Sequence, residues 1–399
     1  MRVQPQKATR QQTKSYNSNL VLKTIYDQGR VSRADVARLT NLTRTSVSEM
    51  VSELQERGLV EEVGIGQSIG GRSPILLSVV DDGHHLISLD LAGAPFRGAL
   101  VNLRNDVFTS ASVPVRSSQG EAALERVYEL LDTLLGKTNR PVLGIGIGTP
   151  GLVDTTSGVI VRAVNLGWRD LPISDILQRR YGLPVYVAND SQISALARYM
   201  FGKGLDSNLV VIKTGRFGVG AGIVLNGQLF QGDGFGAGEI GHIVVEEDGE
   251  QCSCGNFGCL ETVVSAQGIA RRARALAAAH PHSMLHPLGA GITLQAIRKG
   301  ILAGDEVAHR VVEETGHFLG IACANLIGAL NVRHLVLTGT LTALGIPLLE
   351  AVRKKMYQRS LPILAKDTYI ELAAPDPDAV IRGASVLVLT HELGFSLTR

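Results

Sequence analysis

Residues 241–261 read GHIVVEEDGEQCSCGNFGCLE, and they gather His242, Cys252, Cys254 and Cys259 just ahead of Glu261. Only one cysteine, Cys323, lies elsewhere. Thiolate and imidazole ligands suit a tetrahedral Zn²⁺, and three cysteines with one histidine form a common structural set. Gly255 and Gly258 give the backbone the freedom to wrap three sulfurs together. A disulfide between two of the cysteines is the competing reading. Clustered cysteines in a chain without an apparent secretory leader point to metal more often than to a disulfide.

On both sides of this loop the chain alternates strand and helix. From His85 the runs HLISLDL, FRGALVNL and DVFTSASVPV read as three strands. A helix is expected near 120–136, then the strand VLGIGIG, the turn TPGLVD, a second helix, the strand in YGLPVYVAND and a helix after Asp190. The pattern then restarts with NLVVIKTG, VGAGIVLNGQL and a third strand near HIVVEE. Helices, the strand HLVLTG, another helix, TYIELAA and a closing helix follow. Three strands followed by alternating helix and strand thus occur twice. The expected body is an α/β duplication with one lobe over 84–200 and a second over 201–399 that carries the metal loop. The closing helix is able to return to the first lobe, and a ligand cleft is expected between the lobes.

The first eighty residues have a different pattern. Residues 18–28 read as a helix closed by Gly29. Ser32 and Asp35 form a capping-box-like pair opening a second helix. Thr43 is a good N-cap for a third helix in which Val47, Val51 and Leu54 make one apolar stripe. LVEEVG and PILLSVV, separated by IGQSIGGRS, read as a hairpin with a glycine tip. Three helices and a wing make a winged helix-turn-helix over 1–80. Ser32, Arg33, Thr43, Arg44, Thr45, Ser46 and Ser48 are the candidate contacts around the recognition helix, and Arg72 at the wing tip suits a phosphate or the minor groove. A protein-docking module with a solvated helix face is the bland alternative.

Charge favours the DNA reading. Residues 1–60 hold ten Lys/Arg and five Asp/Glu, a balance of +5, so a chain of net +2 leaves −3 for the remainder. A basic end on a near-neutral body suits a polyanion. The first residues, MRVQPQKATRQQTKSYNSN, have no apolar run and read as a tail that orders on DNA to about Ser15. No apolar run approaches membrane-spanning length, so membrane insertion is not expected and a cytoplasmic location is. His280, His282 and His286 read as a surface loop rather than a second metal site.

GIGTPGLVD (146–154), VAND (187–190), GAGEIGH (236–242) and CSCGNFGCLE (252–261) resemble the ROK family, which comprises sugar-responsive repressors and sugar kinases. The likeness runs from about His84 to the C-terminus. It implies a duplicated ribonuclease-H-like, actin/hexokinase-type body with a structural Zn²⁺ at His242, Cys252, Cys254 and Cys259. It implies a sugar held by Asn189, Asp190, Glu239, His242 and Glu261. Taken singly, Asp190 could instead cap the helix that follows it, Asn189 could sit in a turn, and Glu239 could be a solvated residue. With the N-terminal module, and with GGRSP at 70–74 similar to a wing-to-body junction, the chain resembles the regulator branch that responds to xylose, glucose and N-acetylglucosamine.

The kinases of that family carry two glycine-rich phosphate loops. Where the first resembles D-x-G-G-T-K, this chain has Asp90-Leu91-Ala92-Gly93-Ala94-Pro95. Where the second resembles G-T-G-x-G-x-G, it has Arg216-Phe217-Gly218-Val219-Gly220-Ala221-Gly222. A glycine of the first loop has become Ala92, the two hydroxyl positions are Ala94 and Phe217, Pro95 removes an N–H, and the late adenosine-side pair reads Thr338-Gly339. Asp190, the general base of a kinase, is retained, and Arg216 offers a cation for the phosphate of a sugar phosphate. The expectation is therefore no enzyme but a sugar- or sugar-phosphate-controlled repressor of carbohydrate-metabolism genes, xylose metabolism among them. Its partner is double-stranded operator DNA, and its assembly a homodimer or homotetramer. The alternative is a ROK-type sugar kinase carrying a DNA-binding domain.

Overall fold

The computed structural model describes residues 9–67, 73–115, 118–202, 208–374 and 376–394. Contacts divide the chain into two compact units. The first takes in the described residues up to Ala188 together with 384–394, and the second takes in residues 189–383.

The first unit begins with α1 (Arg10–Gln28), β1 (Val31–Ser32), α2 (Arg33–Thr40), α3 (Arg44–Glu56), β2 (Val60–Ile65) and β3 (Ile75–Val79). The strands form a sheet of order β1-β3-β2, with β3 antiparallel to both neighbours. α2 starts where sequence placed it: the Ser32 hydroxyl accepts from Asp35 N at 3.1 Å and donates to Asp35 Oδ2 at 2.7 Å. α3 is capped by Thr43, which accepts from Ser46 N at 3.2 Å. Val47, Met50, Val51 and Leu54 are buried, each side chain worth about 1.5–3 kcal/mol of transfer. The expected tail is not a tail from Arg10 onward. α1 begins ten residues before its apolar stripe, and within that extension Lys14 pairs with Glu53 of α3. β1 was also invisible to periodicity, being two residues long.

The first lobe follows with β4 (His85–Asp90), β5 (Phe96–Val101), β6 (Val107–Val113), α4 (Glu121–Leu135), β7 (Val142–Thr149), β8 (Leu152–Asp154), β9 (Val159–Ala163), β10 (Trp168–Leu171), α5 (Ile173–Tyr181) and β11 (Val185–Asn189). β4, β5 and β6 form an antiparallel meander, β7 lies parallel to β4, and the sheet order is β11-β7-β4-β5-β6. A three-stranded sheet, β10-β9-β8, fills the stretch expected to be mere turn and helix lead-in. Arg104, after β5, ties this lobe to the N-terminal module. It donates to Tyr26 O at 2.6 Å and Asp81 Oδ1 at 2.8 Å, and its guanidinium lies 4.4 Å from the centre of the Tyr26 ring. Burial, more than any charge, pushes the Tyr26 hydroxyl up to about 12.

The second unit holds α6 (Asp190–Phe201), β12 (Leu209–Thr214), β13 (Val219–Leu225), β14 (Gln228–Leu229), α7 (Leu260–Val264), α8 (Ala266–Ala278), α9 (Leu294–Leu302), α10 (Glu306–Leu330), β15 (His334–Gly339), α11 (Ile346–Arg359), α12 (Pro362–Ala365), β16 (Tyr369–Leu372) and the start of α13 (Ala379–Leu393). Its sheet, β14-β13-β12-β15-β16, repeats the first: an antiparallel meander with β15 parallel to β12 and β16 parallel to β15. The third strand of this meander is β14. The run HIVVEE forms a 3₁₀ turn at Ile240–His242 and a loop touching Cys259 by one bridge. Its alternation is real, since Ile243 and Val245 pack on the core while Val244 is exposed, but no neighbouring strand is there to pair. α6, expected in the first lobe, packs on β12 and β13. From Ala384 onward α13 clusters with the first unit.

Candidate functional site

The metal loop is shaped by its own backbone. Cys252 N donates to Asn256 O at 2.7 Å and Gly255 N to Cys252 O at 2.9 Å, turning the chain so that Cys252 and Cys254 converge. Gly258 has φ +69, and a Cβ there would lie 1.6 Å from Glu246 O, so no other residue fits. Cys259 then sits at the N-terminus of α7. The ligand atoms of His242, Cys252, Cys254 and Cys259 all lie within 4.8 Å of one another. Cys254 Sγ is 3.7 Å from Cys259 Sγ, and Cys252 Sγ is 3.6 Å from His242 Nδ1. A tetrahedron with metal–sulfur bonds of about 2.3 Å and a metal–nitrogen bond of about 2.0 Å has edges of about 3.8 and 3.5 Å, so the four groups fit such an ion. All four cysteines are free thiols in the structure, and the 3.7 Å between Cys254 Sγ and Cys259 Sγ is longer than a disulfide bond.

The thiols differ in environment. Burial pushes Cys259 up to about 12, with Cys254 and Cys252 adding to it. Burial also raises Cys252, whereas the Asn256 N–H holds Cys254 down. A buried thiol stays neutral until a cation stabilises its thiolate. The other ring nitrogen of the histidine, His242 Nε2, lies 3.8 Å from Glu239 Oε2, the kind of carboxylate that orients a ligating histidine.

The expected sugar residues fall in the same unit. Asn189 ends β11 and caps α6, its Oδ1 accepting from Ser191 N at 2.8 Å and Gln192 N at 3.3 Å. The capping role considered for Asp190 thus belongs to Asn189. Asp190 opens α6 and forms an ion pair with Lys213 of β12. Glu239 keeps 42 % of its side chain exposed. Even so, desolvation raises its carboxyl above the usual range against the lowering effect of His242, and Asp190 and Glu261 push the same way. Glu261 Oε2 accepts from Val219 N at 3.2 Å, and Oε1 lies 3.7 Å from Cys252 Sγ. Glu239 and Glu261 are thereby tied to the metal loop through His242 and Cys252, while Asn189 and Asp190 are held by α6 and Lys213.

Two residues of this neighbourhood escaped the sequence reading. Lys213 was visible as the one charge ending the apolar run LVVI, and that signal could have been used. Gln192 gave none. Its Nε2 donates to Phe235 O at 3.2 Å and Ala237 O at 3.3 Å, holding the segment that leads into Glu239. Gly238 in that segment has φ +99 and would place a Cβ 1.9 Å from Ala221 O. In the second glycine loop the Phe217 ring is 51 % exposed, with the Arg216 guanidinium 5.0 Å from its centre.

In the N-terminal module, Thr43, Arg44, Thr45 and Ser48 are exposed and Ser46 partly so, all on the side of α3 away from its buried stripe. The structure does not bring Ser32 and Arg33 to that surface. Ser32 is buried and caps α2, while Arg33 bonds Gln55 Oε1 at 3.2 Å and Glu62 Oε1 at 2.9 Å, pinning α2 to α3 and β2. Arg72 lies outside the described residues.

Comparison with known proteins fits this geometry. The model of the ROK family matches residues 86–391, and that of a winged helix-turn-helix DNA-binding module matches residues 16–61. The chain belongs to the ROK family. The xylose repressor of Caldicellulosiruptor bescii is 32 % identical over 389 residues, covering 96 % of this chain and 97 % of the repressor. The glucokinase of Halalkalibacterium halodurans is 34 % identical over 314 residues, covering 77 % of this ROK protein and 95 % of the kinase. A crystal structure of a ROK family transcriptional regulator, a homolog of the E. coli MLC protein, superposes with a TM-score of 0.86 at 29 % identity, covering 96 % of this chain and 98 % of that one. Among the described residues no helix is long and apolar enough to cross a membrane.

Proposed function

We propose that this chain is a DNA-binding transcriptional repressor of carbohydrate-metabolism genes, controlled by a sugar and built around a structural zinc. The observation that carries the reading is the joining of a winged helix-turn-helix to a ROK body in one chain, a chain that a xylose repressor matches almost end to end. Asn189, Asp190, Glu239, His242 and Glu261 are assigned to the sugar: carboxylates accept hydroxyl protons, and an amide both donates and accepts. His242, Cys252, Cys254 and Cys259 are assigned to Zn²⁺, with four protein ligands and no position left for a reacting water. Arg44, Thr45 and Ser48 are assigned to the major groove, Thr43 and Ser46 to the start of the recognition helix, and Arg72 to the wing. A two-fold pair of such modules reads two half-sites, so the working assembly is a homodimer or a dimer of dimers.

If the sugar derepresses, operator and sugar must weaken each other's binding by the same factor. A gel-shift titration against the promoter next to the chain's own gene, repeated over a salt series and a panel of sugars, tests this. A steep salt slope and release by one sugar support it; salt-insensitive or absent binding overturns it. The glucokinase likeness favours one second reading, a sugar kinase carrying a DNA module. Against it stand Ala92, Ala94, Pro95 and Phe217 where a phosphate loop needs glycines and hydroxyls. ADP release that depends on Asp190 would decide for the kinase.

A further inference from the structure

We propose that Lys213 belongs to the carbohydrate site, holding Asp190 as one half of a neutral donor–acceptor pair, and that the site takes an uncharged sugar rather than a sugar phosphate or sugar acid. The inference rests on the assignment of Asn189, Asp190, Glu239 and Glu261 to a sugar.

Leu209, Val210, Val211 and Ile212 of β12 are fully buried or nearly so. Lys213 follows them with 20 % of its side chain exposed, and its partner Asp190 has 14 %. An ammonium in that position needs a counter-charge, since a lone buried charge is costly. Asp190 supplies it across the β12–α6 packing. The bond uses one of three N–H donors on Lys213 and engages Oδ2 of Asp190, leaving Oδ1 as an acceptor. Donor and acceptor side by side match a hydroxyl, which both gives and takes a hydrogen bond. The pair itself carries no net charge.

The carboxylates acting on Glu239 are those of Asp190 and Glu261. Glu239 and Glu261 contribute carboxylates, and the His242, Cys252, Cys254 and Cys259 set, once holding a divalent ion through three thiolates, is also net negative. Arg216 of the second glycine loop lies against the ring of its neighbour Phe217, and no contact ties it to Asp190, Glu239 or Glu261 among the described residues. A phosphate or carboxylate placed beside Glu239 and Glu261 would therefore meet like charge, with the Lys213 ammonium there already paired to Asp190, a repulsion that a poorly solvated site screens little. An uncharged hydroxyl array does not.

The test uses the full metal-loaded chain in calorimetric titrations with neutral pentoses and hexoses, their phosphates and their aldonic and uronic acids. The wild type should bind one neutral sugar, with its phosphorylated or oxidised form at least about a hundredfold weaker. Lys213→Met should weaken that sugar by about tenfold to a hundredfold, the range of one charge-assisted hydrogen bond. Lys213→Arg should recover part of the loss. Asp190→Asn combined with Lys213→Met should cost less than the sum of the single changes. Metal content and thermal midpoint, measured for every variant, must stay at wild-type values for the affinity to count, and Lys213→Arg serves where Lys213→Met falls short. A phosphorylated sugar bound equally or more tightly, or unchanged affinity in both Lys213 variants, overturns the inference while leaving the sugar assignment intact. A wild type that binds no sugar overturns that assignment and this inference with it.

Discussion

At the scale of single residues, what could be read ahead depended on how far the partner lay along the chain. His242, Cys252, Cys254 and Cys259 were legible because residue type and spacing together leave few chemistries open. Gln192 was not, and Lys213 stood out only as a charge closing an apolar run, since their partners stand 43–45 and 23 residues away and only the fold supplies them. Cys254→Ser should lower zinc stoichiometry, measured by atomic absorption, because three ligands hold a structural ion poorly; full zinc content would remove Cys254 from the set. Asp35 offers a pH test. Hydrogen bonds from Arg38, then from Ser32, hold its carboxyl below the usual range. A depressed folded value stabilises above the unfolded pKa, about 4, and this is lost as pH falls through the folded value. Asp35→Asn should therefore destabilise the N-terminal module at pH 7, by about 1 kcal/mol or less at so exposed a site, with a penalty shrinking toward pH 3. A urea midpoint difference that is constant with pH would contradict it.

Elements divide along the same line. Long apolar runs announced both five-stranded sheets, and the third helix was legible from its cap and stripe. β1 and the β8–β10 sheet were too short to show a period, and HIVVEE showed one without having a strand to pair with. α1 extends ten residues ahead of its stripe, and Lys14 in that extension meets Glu53 of α3, a pairing no local pattern encodes. The exposed face of α3 makes its own prediction. Arg44→Ala should weaken operator binding by about 1–3 kcal/mol per half-site and leave sugar affinity unchanged. Equal operator affinity in a gel shift would move the recognition surface elsewhere.

On the scale of the whole molecule, α13 belongs to both bodies. Gly383 packs against Ile193 O within the second unit, where a Cβ would stand 2.1 Å from that oxygen, and Ala384 packs against Gly146 within the first. Val380, Ile381, Val386, Val388, Leu389 and Leu393 are all buried. A stop codon after residue 378 should therefore lower the thermal midpoint by about 10 °C or more; a chain so shortened that melts like the parent would refute the packing. The sequence left the ownership of this helix open because its apolar surface runs nearly all round. Its double allegiance has a practical corollary. Neither half of this protein can be excised as a self-sufficient gene fragment, since one would lack a lining and the other would carry a bare flap. A synthetic peptide spanning 379–394, added back to the shortened chain, is the natural reagent for asking whether the two halves are completed together or one at a time.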